Sequence, residues 1–197
     1  MNYKSISIVG VDGAGKSSII EKLGQTLGEE KVCVQYMGAR LWETSFAKKY
    51  HENKPKHTII SPLLVIVSFI YEMFHRVNKY KGCGKLVVFD RYVDEQILLR
   101  KGKAGFKKEL QYFIFKLFLG VVFHKPNLYF YLTCPIEVSV SRKNDITTEK
   151  EIEGLKSNKT MLDGYYLHHI NTTVIDTSKY SQGETLDIIL NKIAPLL

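Results

Sequence analysis

Gly10-Val11-Asp12-Gly13-Ala14-Gly15-Lys16-Ser17 decides the reading of this chain. The stretch fits a phosphate-binding loop at all four fixed places, and its neighbours supply the context such a loop needs. Upstream, Ser5-Ile6-Ser7-Ile8-Val9 is a short β-rich run suited to a buried parallel strand. Downstream, Lys16 to Gly28 sets Ile19, Ile20, Leu23 and Leu27 along one helical stripe. Strand, glycine turn and helix follow in order. Successive N–H groups of such a turn point into one concavity, and the helix start adds positive dipole to the anion site. Gly10, Val11, Asp12, Gly13, Ala14, Gly15, Lys16, Ser17 and Ser18 are therefore the expected binders of a nucleotide's phosphates. Within this set Lys16 serves the β- and γ-phosphates and the Ser17 hydroxyl serves Mg²⁺.

Composition narrows the class. A chain of 197 residues forms one domain with its own core, and 45% hydrophobic with 24% charged residues excludes disordered and fibrous classes. The net charge of +8 favours an anionic ligand. Nucleotides meet that need. The basic residues are scattered, and their one notable cluster, Lys101-Gly102-Lys103 with Lys107-Lys108, reads as a solvated face rather than a nucleic-acid patch. The chain enters a strand almost at once, which predicts no secretion leader. Cys33, Cys83 and Cys134, odd in number and far apart, fit reduced cytoplasmic thiols. Two apolar stretches, Thr58 to Tyr71 and Leu110 to Phe123, fall short of the roughly twenty residues a bilayer span needs. They read as buried helices, which leaves room for a homodimer with one of them at its interface and predicts no stable membrane insertion.

Four further runs resemble the first strand: Val32–Tyr36, Leu86–Phe89, Leu128–Leu132 and Thr173–Ile175, with helical patterns between them. Alternating strands and helices predict an α/β fold in three layers, a five-stranded parallel sheet with helices on both faces. Ligands of such sheets bind beyond the carboxyl ends of the strands. Gly10–Ser17, Met37–Arg40, Asp90–Tyr92, Thr133–Pro135 and Asp176–Tyr180 are thus expected around one crevice. No repeat or linker divides the chain, so residues 1–197 read as a single domain. Lys143 to Gly154 is charged and polar, and reads either as a mobile lid or as an ordinary loop before a helix running to about His169.

Asp90 ends the apolar run Leu86-Val87-Val88-Phe89, where a phosphate-loop site needs a carboxylate for the Mg²⁺ shell. Arg91 and Tyr92 follow directly. A guanidinium at the same strand end suits a second phosphate, as an acceptor in phosphoryl transfer requires.

Asp12-Gly13-Ala14-Gly15-Lys16-Ser17, then Asp90-Arg91-Tyr92, then Lys125-Pro126-Asn127 leading through Pro135-Ile136-Glu137 to Arg142, and last Val174-Ile175-Asp176-Thr177, together resemble thymidylate kinase in order and spacing. The resemblance implies a nucleoside monophosphate kinase fold with a mobile lid that moves the γ-phosphoryl of ATP to a monophosphate with Mg²⁺. It also implies catalytic roles for Lys16, Asp90, Arg91 and Arg142, with Ser17 and Asp90 serving the metal. Arg142, Ser178 and Lys179 join the ATP side by the same resemblance, and Asp12, Arg91 and Tyr92 the acceptor side.

The departures bear on the acceptor. Thymidylate kinases carry an R-E-P-G-G-T-like segment after the second strand, where this chain has Gln35-Tyr36-Met37-Gly38-Ala39-Arg40. The family's arginine in the helix before the DRY strand is also absent, and Arg76 lies about two turns on. Arg40 and Arg76 are the expected substitutes for acceptor contacts, against a surface pair of Glu72 with Arg76 at i,i+4. Asp94 reads as a helix-start carboxylate or an acceptor-sugar contact, Tyr165-Tyr166 as core or as the family's tyrosine. His168-His169 point about 100° apart on a helix and make a poor metal pair. Two other functions stay open on residues alone: a kinase of a nucleoside or other small metabolite, and a nucleotide-binding or NTP-hydrolysing switch.

Overall fold

The structure, a computed structural model, describes residues 3–38, 41–51, 61–101, 113, 117, 123, 125–143 and 148–197. Its elements are β1 (Ser5–Gly10), α1 (Lys16–Leu27), β2 (Val32–Tyr36), α2 (Ser45–His51), α3 (Ser61–Asn78), β3 (Leu86–Asp90) and α4 (Val93–Lys101). There follow β4 (Leu128–Thr133), α5 (Ile136–Ser141), α6 (Glu149–Tyr166), β5 (Thr172–Asp176), α7 (Gln182–Ile193) and a 3₁₀ turn, Ala194–Leu196. All five expected strands form, each within a residue of its apolar run.

The strands pair in parallel in the order β2-β3-β1-β4-β5. All six residues of β1 are buried. Because successive strand side chains point to opposite faces, that pattern requires cover on both sides of the sheet. α1 supplies part of it through Ile19, Ile20 and Leu23 and packs against α7. α4 packs against α6. The loops after β3, β1 and β4 open side by side at one end of the sheet, the end where such folds bind ligands.

Between α4, α6 and β4 lies a core of buried tyrosines. Tyr166 donates to Asp94 Oδ1 at 2.8 Å, Tyr131 donates to Asp163 Oδ1 at 2.5 Å, and the Tyr131 and Tyr166 rings stack at 5.4 Å. Asp94 also accepts from the Glu95 N–H at 2.8 Å and so does serve the helix start. His169 sits against Tyr129 at 4.8 Å, its Nδ1 3.1 Å from the Thr172 hydroxyl, a packed histidine.

α6 begins inside residues 143–154. Thr148 and Glu151 form a capping box at its start, so the second half of that stretch is helical, and the helix ends at Tyr166 rather than near His169. Residues 144–147 lie outside the described residues, as do Arg40, 58–60, most of 110–123 and the lysines at 103, 107 and 108. No helix of the described residues is long and apolar enough to cross a membrane.

Candidate active site

One crevice opens at the carboxyl end of the sheet, with a volume of about 590 Å³. It is lined by the phosphate loop, by Tyr36 from β2, by Asp90 and Arg91 from β3, by Arg142 and Lys143 after α5, and by Thr177, Tyr180, Gln182 and Thr185. Three of the five expected segments reach it, and beside Met37–Arg40 it is the preceding residue, Tyr36, that lines it. Thr133–Pro135 acts from behind, the Thr133 carbonyl holding the Thr177 N–H at 2.8 Å.

The phosphate loop is fixed from two sides. Lys16 Nζ donates to the Gly10 and Val11 carbonyls, each at 2.7 Å, and the Ala14 N–H closes on the Val11 carbonyl at 3.2 Å. The Ser139 hydroxyl of α5 donates to the Asp12 carbonyl. At Gly13 the backbone has φ +83°, and a Cβ there would stand 2.5 Å from the Ser139 carbonyl oxygen. Only glycine suits both conditions. Val11 and Ala14 are buried beneath the loop, so of this segment Asp12, Gly13 and Gly15 to Ser18 face the crevice. Burial, and after it the charge of Arg91, bring the Lys16 amine down to about 8, and an anion bound beside it would favour its charged form.

Arg91 stands at the end of β3 with φ 70°, a left-handed backbone that costs a non-glycine residue about 1–2 kcal/mol. The position is over-determined: the Arg91 N–H donates to the Ile8 carbonyl at 3.0 Å and its carbonyl accepts from the Ser7 hydroxyl at 3.2 Å. The guanidinium is forked between Glu95, through Nη1, and Asp12, whose Oδ1 accepts from Nη2 at 2.5 Å. Asp12 Oδ1 also lies 4.0 Å from Lys16 Nζ, so both cations flank one carboxylate. Burial works to raise the Asp12 carboxyl, but Arg91 and Lys16 outweigh it and hold it below the ordinary range. Burial opposes the Arg91 charge as well, and Glu95 and Asp12 more than compensate, raising its pKa.

Asp90 behaves differently. Burial pushes its carboxyl above the ordinary range despite the attraction of Lys16 and Arg91. This carboxylate opens on the same crevice as the exposed Ser17 hydroxyl. Such a hard-oxygen pair beside a phosphate loop fits Mg²⁺, which keeps several waters and takes one or two protein ligands.

Arg142 caps α5 and reaches over to the loop after β5, with Nη1 also 3.4 Å from the Gly13 carbonyl of the phosphate loop. Its Nη1 donates to Thr177 Oγ1 at 2.9 Å and its Nη2 to the Thr177 carbonyl at 2.8 Å. Ser178 and Lys179 turn outward onto Asp176 instead, with the Ser178 hydroxyl 2.6 Å from Asp176 Oδ1 and Lys179 Nζ 3.7 Å from Oδ2. Thr177, Tyr180, Gln182 and Thr185 line the crevice in their stead.

Two expected acceptor contacts require correction. Tyr92 is 1% exposed and packs between Phe89 and Tyr129, so it faces the core rather than the crevice. Arg76 is likewise 1% exposed, and Glu72 0%, so their pair is a buried tie and not a surface bridge. Arg76 donates to the Tyr36 and Gly38 carbonyls at 3.0 Å each, to the Leu41 carbonyl and to Glu72. Glu72 in turn accepts from the Glu43 and Thr44 N–H groups at 2.6 and 2.9 Å. The pair fastens the segment after β2 to α3. Arg76→Met should therefore strand Glu72 without its partner in the core and lower unfolding stability by about 3–5 kcal/mol, read from denaturant midpoints.

Sequence reasoning missed Tyr36, Ser139 and Glu95. Only Tyr36 had a signal: it pairs in register with Asp90, so its place at the crevice follows once β2 is known to neighbour β3.

The thymidylate kinase family profile matches residues 8–184. Among solved structures, thymidylate kinase from Candida albicans is 16% identical with a TM-score of 0.69, over 98% of this chain and 92% of that one. Deoxyadenosine kinase from M. mycoides with products dCMP and dCDP bound is 20% identical with a TM-score of 0.62, over 98% of this chain and 100% of that one. The same enzyme with bound dATP gives 18% and 0.64. At these identities the solved structures speak for the fold alone, and the profile, which spans nine tenths of the sequence, speaks for descent. A phosphate loop, a strand-end Asp90-Arg91 and a matching profile from β1 to α7 lead to one conclusion: this chain belongs to the thymidylate kinase family and is an enzyme of the nucleoside monophosphate kinase class.

Proposed function

We propose that this chain transfers the γ-phosphoryl group of ATP to the phosphate of dTMP or a related nucleoside monophosphate, with Mg²⁺, in the cytoplasm. One observation carries the reading: Lys16 and Arg91, the cations suited to donor and acceptor, line the same crevice and flank the same Asp12 carboxylate. Phosphoryl transfer needs little covalent work from a protein, so the task is to hold two anions in line and offset the charge between them.

In this reading the loop N–H groups and Lys16 hold the donor phosphates. Arg91 holds the acceptor phosphate in a fixed fork, Arg142 and Thr177 border the donor's base end, and Lys143 adds a second cation beside them. Ser17 and Asp90 would hold Mg²⁺, which supplies charge neutralisation to the transferred group. The free thiols of Cys33, Cys83 and Cys134 support the compartment. The exposed stripe Val67, Tyr71 and Phe74 on α3, at helical spacing, supports a homodimer.

Tyr36 and Gly38 replace the family's acceptor segment in this reading. A Cβ on Gly38 would overlap the Tyr36 ring, which must then move within the crevice. Gly38→Ala is expected to raise the acceptor KM by about tenfold and to leave the ATP KM unchanged. The reading as a whole is tested by incubating the protein with ATP, Mg²⁺ and a panel of nucleoside monophosphates, nucleosides and sugar phosphates. ADP that forms only with a monophosphate supports it. ADP that forms only with a nucleoside, or without any acceptor, contradicts it.

A further inference from the structure

We propose that Glu95 is the positioning residue of the acceptor site, anchoring Arg91 so that its remaining N–H edge is presented to the acceptor phosphate. The inference rests on the function proposed above. Glu95 stands in the first turn of α4, and Arg91, two residues before that helix on its left-handed backbone, turns its guanidinium onto it. It is 0% exposed, one oxygen takes the guanidinium Nη1, and the other has no hydrogen-bond partner among the described residues. A carboxylate so placed is costly unless the cation it holds is needed there.

The two carboxylates on Arg91 are not equivalent. Asp12 sits on the phosphate loop with its side chain 39% exposed, so water screens its hold and an incoming phosphate competes for Nη2. Glu95 is beyond the reach of either. Glu95 therefore keeps its grip on Nη1 when a ligand arrives, and the Nη2 side is the exchangeable one. The left-handed backbone of Arg91, fixed by Ser7 and Ile8, sets the root of the side chain, and Glu95 sets its tip.

Electrostatics alone predicts the opposite behaviour, which makes the idea decidable. Glu95 is an anion close to Lys16 and Arg91, so removing its charge makes the crevice more positive and favours every phosphate that enters. An anchor acts otherwise: without it Arg91 swings freely, and only the acceptor suffers.

The test uses the full chain and the monophosphate turned over fastest in a panel of dTMP, dCMP, dAMP, dGMP and UMP. Glu95→Gln and Glu95→Ala are compared with the wild type in acceptor KM, kcat and the affinities of ATP and that monophosphate by calorimetry, with thermal unfolding to certify the fold. Glu95→Ala should raise the acceptor KM and Kd by about thirtyfold while ATP binds as before or more tightly. Glu95→Gln, which keeps an oxygen to accept from Nη1, should recover part of that loss. Both ligands binding more tightly, both weakening together, or an acceptor KM within threefold of wild type in the folded variants would each overturn the anchor and leave the kinase reading intact. A wild type that turns over no monophosphate in the panel would overturn both.

Discussion

Arg91→Ala is expected to lower kcat/KM for the acceptor by roughly 30- to 3,000-fold, because truncating one partner of a desolvated charge contact costs about 2–5 kcal/mol and each 1.4 kcal/mol is a factor of ten. The loss should fall on acceptor KM and on kcat, with ATP affinity changed far less. Arg91 is held by Glu95 and by its backbone ties to β1, and in the proposed function it faces the acceptor while the donor phosphates would lie on the loop N–H groups. Arg91→Lys should rescue little. A lysine supplies the charge but not a fork able to hold Glu95 and a phosphate together. Steady-state kinetics with each substrate varied in turn reads the split, and an equal loss for ATP and acceptor would place Arg91 on the donor side.

Lys16→Ala is expected to lower kcat by roughly 10²- to 10³-fold, the cost of removing one preorganised donor aimed at developing charge. The ammonium is buried and holds the Gly10 and Val11 carbonyls, so it is available at a fixed point above the loop when a triphosphate takes over its hydrogen bonds. Two consequences separate this variant from Arg91→Ala. ATP affinity falls with it, and the monophosphate Kd, measured without ATP, stays within a few fold of wild type. Calorimetry on each ligand alone reads both. The fold should survive, since the loop keeps the Val11–Ala14 turn and the Ser139 contact.

How much of this was legible in the sequence depends on where each signal lives. The strands were legible because a parallel strand buried on both faces must be a continuous apolar run, as Leu86–Phe89 and Leu128–Leu132 are. The phosphate loop was legible because its chemistry is carried by neighbours in the chain. Arg76 was misread for the same reason in reverse. An i,i+4 pair of Glu72 and Arg76 looks identical on a surface helix and in a core, and only the third dimension shows that the Tyr36, Gly38 and Leu41 carbonyls consume its donors. Tyr92 carried the authority of its neighbours Asp90 and Arg91, yet the left-handed turn at Arg91 takes the chain out of the strand and Tyr92 packs into the core against Phe89 and Tyr129. Glu95 was invisible for a further reason. A carboxylate in the first turn of a helix is expected on dipole grounds alone, so nothing in the string marks it as the partner of Arg91.

In the proposed function a single crevice takes two phosphorylated ligands end to end, one on Lys16 and one on Arg91. A dinucleoside pentaphosphate that joins adenosine to the nucleoside of the preferred monophosphate spans both places at once. It should bind once per chain, compete with ATP and with the monophosphate alike, and weaken in both Lys16→Ala and Arg91→Ala. Competition with ATP but not with the monophosphate, or binding untouched by Arg91→Ala, would contradict the account.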